Sequence, residues 1–405
     1  MAEIPPQPLQ DIRVLDFTVM LAGPFVTMML GDYGAEIIKV EAPGRGDNTR
    51  NIGPFAPHDT ERKAGGYFLS ISRNKKSITV DLKHPEGVSI VKELAQKSDV
   101  VVENFRPGVM DRLGLGYEEI SRINPKIVYT SISGFGHTGP YRERPSFDLV
   151  AQAMGGVMAM TGPKGGPPYK VGPGIGDIWA STIAAYATMV ALHWAEKTGQ
   201  GQHIDCAMYD SMLYMIERAI MMYSLAGIVS GRDGNAHPLY APYDCFETRD
   251  GRYVVIAGHW DKQWENLCRA MGRPDLLEDD RLKTMWGRAQ HYDYLRPILE
   301  DWTRGLDRDE LVRLLIEHDV PVGPVNSVED IFRCPQVRER QMLVDTEHPI
   351  AGRFKIVGVP AKLSRTPGRV RTAAPLLGQH TAEVLQGILG RTPEEIRRLR
   401  ERGVI

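Results

Sequence analysis

Along the first 136 residues, short β-branched apolar runs alternate with amphipathic stretches, so the period of the hydrophobic positions switches repeatedly between two and about 3.6 residues. Runs at 12–17, 36–41, 77–82, 99–105 and 126–133 predict strands, and 24–33, 85–97 and 117–124 predict helices. Pro85 stands in a first helical turn, where its missing N–H costs nothing. This alternation is that of an α/β domain with a largely parallel sheet. From Phe147 the pattern turns helical at 148–161 and 180–197, closed by Gly199-Gln200-Gly201; a strand at 202–207 and a helix at 210–225 follow.

The Gly/Pro/Asn-rich stretch 227–242 reads as a domain boundary. Beyond it, 243–258 predicts a hairpin turning at Arg249-Asp250-Gly251, with helices at 261–271, 290–303 and 308–317. Pro321-Val322-Gly323-Pro324-Val325 breaks the pattern, and a strand-rich piece at 353–363 precedes two carboxyl-terminal helices. At 405 residues the chain exceeds what one core sustains, so two domains or one elaborated domain are expected.

Net charge is −2, which argues against global attraction to nucleic acid or anionic membrane and leaves any anion site local. Cys206, Cys245, Cys268 and Cys334 fall in no metal-ligand spacing and read as reduced thiols of a cytoplasmic protein. Residues 1–8 have neither the basic nor the apolar region of a signal peptide, and no apolar run reaches membrane-spanning length, so no membrane partner is expected.

Asp177 ends the run Val171-Gly172-Pro173-Gly174-Ile175-Gly176-Asp177 and enters a long small-residue and apolar stretch. It reads either as an ordinary helix N-cap or as an accessible nucleophile that needs no base at neutral pH. The glycine run imitates a dinucleotide loop but does not follow the first strand, and Walker A, H-E-x-x-H and G-x-S-x-G motifs are absent. Basic residues collect near strands: Lys39 and Arg45; Arg73, Lys75, Lys76 and Lys83; Arg106 and Arg112. They read either as a solvated surface or as a polyphosphate site at strand ends.

Several segments together resemble the family III CoA-transferases, the group of formyl-CoA and carnitine CoA-transferases that includes α-methylacyl-CoA racemase. They are Val14-Leu15-Asp16-Phe17 with Ala22-Gly23-Pro24, Gly34-Ala35-Glu36-Ile37-Ile38-Lys39-Val40-Glu41, Asn74-Lys75-Lys76-Ser77-Ile78, Val102-Glu103-Asn104-Phe105-Arg106-Pro107-Gly108, Ser133-Gly134-Phe135-Gly136, Gly176-Asp177, Ala241-Pro242-Tyr243 and Leu377-Gly378-Gln379-His380-Thr381. The resemblance runs over nearly the whole chain. It implies a Rossmann-like large domain, 1–225 completed by 335–405, a smaller α+β domain at 226–334, and an interlocked ring-like homodimer. It also implies Asp177 as catalytic nucleophile. The implied CoA site comprises Val80, Asp81, Leu82 and Lys83 near adenine, Asn104, Phe105 and Arg106, Arg112 facing phosphates, Phe147 and Asp148 near the pantetheine end, and Leu21 with Ala22 beside the nucleophile.

No cofactor is permanently bound on this reading; acyl-CoA and a small carboxylic acid are the substrates, with succinyl-CoA as donor and malate or a related C4–C5 dicarboxylate as acceptor. Arg45, Arg50, Arg73 and Arg144 are candidates for the acceptor carboxylate, and His137 either binds the acid or is a plain turn residue. Leu21 stands where formyl-CoA transferase has a glutamine, and residues 237–243 replace its glycine-rich lid. Two other readings stay open: a racemase, which expects His where Phe147 stands, and a non-catalytic CoA-binding partner of a paralogous subunit.

Overall fold

Six parallel strands organise the larger of two units in the computed structural model, which describes residues 6–405; of the amino-terminal residues 1–8 read above, 1–5 lie outside it. The elements in order are β1 (Arg13–Asp16), α1 (Ala22–Asp32), β2 (Glu36–Glu41), α2 (Gly66–Ile71), β3 (Lys75–Thr79), α3 (Pro85–Ala95), β4 (Val100–Glu103), α4 (Val109–Arg112), α5 (Tyr117–Ile123), β5 (Val128–Ser133), α6 (Asp148–Met154), α7 (Val157–Met160), α8 (Ile175–Thr198), β6 (Gln202–Ala207), α9 (Met208–Met215) and α10 (Glu217–Ala226). The sheet order is β3-β2-β1-β4-β5-β6, with Leu15 opposite Ile38 on one side and Val101 on the other. The chain therefore changes direction of winding beside β1, which leaves a crevice outside the carboxyl ends of β1 and β4.

Both faces of the sheet are covered, so its strands are apolar on both sides. Leu15, Ile38 and Val101 pack with Leu94 of α3 and with Leu385 and Leu399 near the carboxyl terminus. Their neighbours Val14, Ile37 and Val102 pack on the opposite face with Leu30 of α1 and Ala180 and Ala184 of α8.

Several elements differ from expectation. β3 starts at Lys75 rather than 77, because buried Lys75 bonds to Asp16 and so serves as an interior residue despite its charge. The helix expected over 148–161 breaks after Met154, where Gly156 takes φ +85°. The one expected over 210–225 is two helices that meet at Ile216. α8 begins at Ile175 rather than 180 and, by length and composition alone, is long and apolar enough to cross a membrane, contrary to expectation. Its Ala180, Ala184, Ala191 and Ala195 nevertheless belong to the unit's core, where small side chains let α1 and the sheet approach closely.

The second unit comprises Met158–Lys170 and Met221–Cys334. It contains β7 (Asp244–Glu247), β8 (Tyr253–Ile256), α11 (Asp261–Ala270), α12 (Met285–Gln290), α13 (Tyr292–Thr303), α14 (Arg308–Glu317), β9 (Val322–Pro324) and α15 (Val328–Arg333). β7, β8 and β9 form an antiparallel sheet, so the expected break at 321–325 is in fact a third strand. Phe246, Ile256, Trp264, Leu295 and Leu311 centre its core.

From Pro335 the chain belongs to the larger unit again, with α16 (Pro335–Glu339), β10 (Leu343–His348), β11 (Gly352–Val357), α17 (Thr381–Leu389) and α18 (Pro393–Glu401). β10 and β11 pair as a hairpin. The carboxyl-terminal segment is tied to β3 by the Ser77 N–H donating to His380 Nδ1 at 3.1 Å and the Thr79 N–H donating to Thr381 Oγ1 at 3.0 Å.

Candidate active site

Asp177 lies in the first turn of α8 as its third residue, and Gly174 is the N-cap residue with no side-chain cap of its own. The cap comes from another element. Asp148, at the start of α6, accepts the Gly176 N–H on Oδ1 at 2.8 Å. Gln152, one turn further along α6, donates its Nε2 to both Asp148 oxygens at 2.9 Å and accepts the Val171 N–H at 2.9 Å. The glycine run is therefore pinned at both ends by one helix, and the N-cap reading of Asp177 does not hold.

The Asp177 carboxylate accepts no hydrogen bond from the described residues, while its backbone carbonyl accepts one from Ser181 Oγ at 2.6 Å. Burial, reinforced by the Asp148 charge, raises its pKa to about 7. At neutral pH a substantial fraction is thus protonated, which qualifies the expectation of a carboxylate that is ionised without help. Gly174 leaves the space this group needs: a Cβ there would stand 3.1 Å from Leu21 Cδ2 and 3.5 Å from Asp177 Oδ2.

Two loops at the switch point face Asp177. Asn104 clamps them together, accepting the Val19 N–H on Oδ1 and donating Nδ2 to the Val19 carbonyl, both at 2.8 Å. Next to this clamp Met20 holds φ +66°, a conformation rare for a side-chain-bearing residue. A cavity of about 280 Å³ is lined by Leu21, Ala22, Asn104, Phe105, Arg106, Phe147 and Asp177, together with Arg142 and Arg144. A neighbouring cavity of about 440 Å³ is lined by Val80, Asp81, Leu82, Lys83 and Phe105, with Arg45 and Asn48. Phe105 lines both. Arg112 and Asp148 line neither; Asp148 acts from behind the glycine run. A larger cavity of about 710 Å³ lies by the opposite ends of β2 and β3; Lys75 and Lys76 line it, but neither Asp177 nor any residue implied for the CoA site does.

The basic residues divide sharply. Arg73 makes a buried two-point contact with Asp32 at 2.8 and 2.7 Å, Lys75 pairs with Asp16 at 3.1 Å, and Lys39 pairs with Asp47 at 3.1 Å. Arg50 grips Glu41 in the same two-point way, at 2.8 and 2.7 Å, and Lys76 bridges Glu36 and Glu383. Those five serve the fold, which removes Arg50 and Arg73 as acceptor ligands. Arg45, Lys83, Arg106, Arg112 and Arg144 have no carboxylate partner among the described residues, and Arg144 stacks on the Tyr141 ring at 3.8 Å. His137 does not face Asp177; its ring packs against His203, 3.8 Å from Glu103.

Two contributors were not foreseen. Gln152 stands four residues after Asp148, a helical spacing that could have revealed the pair. Tyr67 lies near enough that Asp177 raises its pKa, after burial as the larger cause; nothing local to its segment signals this.

The model of CoA-transferase family III matches residues 9–381. A succinyl-CoA:mesaconate CoA-transferase of Haloarcula hispanica is 45% identical over 382 residues, which is 93% of this chain and 95% of that one. A succinyl-CoA–D-citramalate CoA-transferase of Chloroflexus aurantiacus is 40% identical over 403 residues, 99% of each chain. Among solved structures, a CAIB/BAIF family protein from Brucella suis superposes with a TM-score of 0.85 at 38% identity, covering 94% of this chain and 99% of that one.

Proposed function

The chain belongs to CoA-transferase family III, and from that premise we propose that it moves CoA from succinyl-CoA to a C4–C5 dicarboxylate acceptor, such as malate, mesaconate or citramalate, through a thioester on Asp177. The relatives named above supply the donor and the acceptor class. The observation that carries the nucleophile assignment is that Asp148 supplies the helix cap, so that the Asp177 carboxylate is uncommitted in a cavity beside Asn104, Phe105 and Arg106.

In this reading the ionised Asp177 oxygen attacks the thioester carbonyl of the donor, the C–S bond breaks, and CoA leaves as thiolate with a mixed anhydride on the enzyme. The thiolate then attacks the aspartyl carbonyl, releasing the donor acid and leaving aspartyl-CoA. The acceptor carboxylate runs the same two substitutions in reverse. CoA thioesters are substrates throughout, and each step exchanges one activated acyl bond for another. A raised pKa makes Asp177 a stronger base and hence a better nucleophile once it is ionised.

Val80 to Lys83 and Asn104 to Arg106 are assigned to the CoA nucleotide, with Arg112 at its phosphates, and Leu21, Ala22, Phe147 and Asp148 to the reacting end. We assign CoA binding to the larger unit, which differs from the expected domain of 1–225 with 335–405 in leaving 158–170 and 221–225 to the smaller one. The outer face of α8 leaves Tyr186, Val190 and Trp194 more than half exposed, a surface that favours the interlocked homodimer. Four free thiols fit a cytoplasmic location.

The test is peptide mass spectrometry after incubation with succinyl-CoA, using acetyl-CoA and butyryl-CoA as controls. A CoA adduct, formed with loss of water on the peptide containing Asp177, is the expected result. Bound CoA without any adduct would transfer the assignment to the partner-subunit reading.

A further inference from the structure

Glu103 ends β4 and directly precedes the loop Asn104-Phe105-Arg106, yet it is 3% exposed. Its Oε2 accepts the Phe105 N–H at 2.8 Å. Behind it Ser131 of β5 stands near enough to lower the carboxylate's pKa, and its hydroxyl lies 2.9 Å from His203 Nε2 of β6. His137 Nε2, a buried atom without a hydrogen-bond partner, stands 3.8 Å from Oε1. The His203 ring is held between Tyr117, stacked on it, and Tyr129, edge-on. Asp205, which accepts the His137 backbone N–H at 2.8 Å, and Asp111 of α4 add negative charge nearby.

A buried carboxylate in such surroundings is costly, and a neutral amide could accept the same N–H. The chain nevertheless places a titratable group under the loop assigned to CoA. We propose that Glu103 is a positioning residue of the acyl-CoA site, fixing the Asn104–Arg106 turn through the Phe105 amide. The inference rests on the CoA-site reading given above.

Burial is the main cause that raises the Glu103 pKa to about 7, with Asp111 and Asp205 adding to it and Ser131 and the Phe105 N–H opposing it. Above that pH the ionised carboxylate makes a charge-assisted bond, roughly twice as strong as a neutral one. Below it the protonated acid is a weaker acceptor, and His137 stands beyond hydrogen-bond reach of its proton. CoA affinity therefore strengthens as pH rises through about 7.

The test measures the dissociation constant of free CoA by calorimetry between pH 5.5 and 8.5 in the Asp177→Asn protein, where the nucleophile does not titrate. Glu103→Gln in that background is expected to bind about fivefold to tenfold more weakly at pH 8 and about equally at pH 5.5. The ligand's own phosphate titration is common to both proteins and cancels in the ratio. Ser131→Ala keeps the carboxylate and moves the midpoint of the profile to higher pH, which keeps the test decisive if Glu103→Gln does not fold. A ratio that is flat with pH, or a midpoint that Ser131→Ala leaves in place, overturns the proposal. Phe105→Ala and Arg106→Ala distinguish the two readings: if both leave CoA affinity unchanged, the CoA-site assignment has failed; if they weaken it while Glu103→Gln follows wild type at every pH, only the inference about Glu103 has failed.

Discussion

Asp148 holds the start of the helix that presents Asp177: its Oδ1 takes the Gly176 N–H at 2.8 Å, and its negative charge adds to burial in raising the pKa of Asp177 to about 7. Cap and charge can be separated by substitution. Asp148→Asn retains an oxygen for the Gly176 N–H and removes the charge, so the rising limb of kcat/KM against pH is expected to move below 7 with kcat at high pH little changed. Asp148→Ala also loses the cap and is expected to lower kcat about tenfold or more, because a nucleophile shifted by a fraction of an ångström reacts poorly. pH–rate profiles with succinyl-CoA check both. A limb that stays in place in Asp148→Asn would mean that burial alone sets the Asp177 pKa.

The same raised pKa makes a statement about stability. In the unfolded chain Asp177 ionises near its ordinary value of 3.8, whereas the folded protein holds the proton up to about 7. Between those values the folded state binds more protons, so this residue's contribution to stability falls as pH rises, and the loss is complete above about 7. Asp177→Asn removes that penalty. At pH 8 the variant is expected to be more stable than wild type by on the order of 4 kcal/mol, and below pH 4 the difference disappears. Thermal melts at pH 4 and 8 give the comparison; a variant less stable at pH 8 would contradict the assigned shift.

Gly174 marks where added bulk is felt. A methyl group there would stand 3.1 Å from Leu21 Cδ2 and 3.5 Å from Asp177 Oδ2, so Leu21 must yield by a few tenths of an ångström into the reacting cavity. Gly174→Ala is expected to lower kcat about tenfold while costing no more than about 1 kcal/mol of stability, the usual range for alanine replacing glycine at an N-cap. Steady-state kinetics alongside a denaturant melt distinguish this from general destabilisation, which would lower Tm without a specific loss in kcat per folded molecule.

How much of this was legible in the chain depends on the distance over which each signal acts. β2 and β6 coincide with the predicted runs at 36–41 and 202–207, and α14 with 308–317, because each is an uninterrupted periodic segment. Asp177 stood out because its glycines are its immediate neighbours. That Asp148 would cap its helix was hidden, since the two belong to elements joined only through the fold. The basic residues show the same limit most clearly. Lys39, Arg73 and Lys75 look free in the sequence, and their partners Asp47, Asp32 and Asp16 come from other segments that the sheet brings alongside. β10 was missed for another reason: His348 is its one buried residue, so burial imposes no apolar alternation on it.

Arg144 and Arg73 provide the contrast that tests the assignment of the acceptor site. Arg144 is exposed, rests on the Tyr141 ring at 3.8 Å and lines the cavity of Asp177, so its guanidinium is available to the distal carboxylate of a dicarboxylic acid. Arg144→Ala is expected to raise KM for the acceptor about tenfold to thirtyfold, the loss of one charge-assisted contact, with Tm unchanged because the side chain supports no buried structure. Arg73 is buried and bound at two points to Asp32. Arg73→Ala leaves that carboxylate buried and unpaired, at a cost of about 3–5 kcal/mol, so the fraction of folded enzyme falls while KM of the folded fraction holds. Acceptor saturation curves and melts on the two variants separate binding from folding. An Arg144→Ala enzyme with an unaltered acceptor KM would pass the role to Arg45, which lines the adjoining cavity and has no carboxylate partner there.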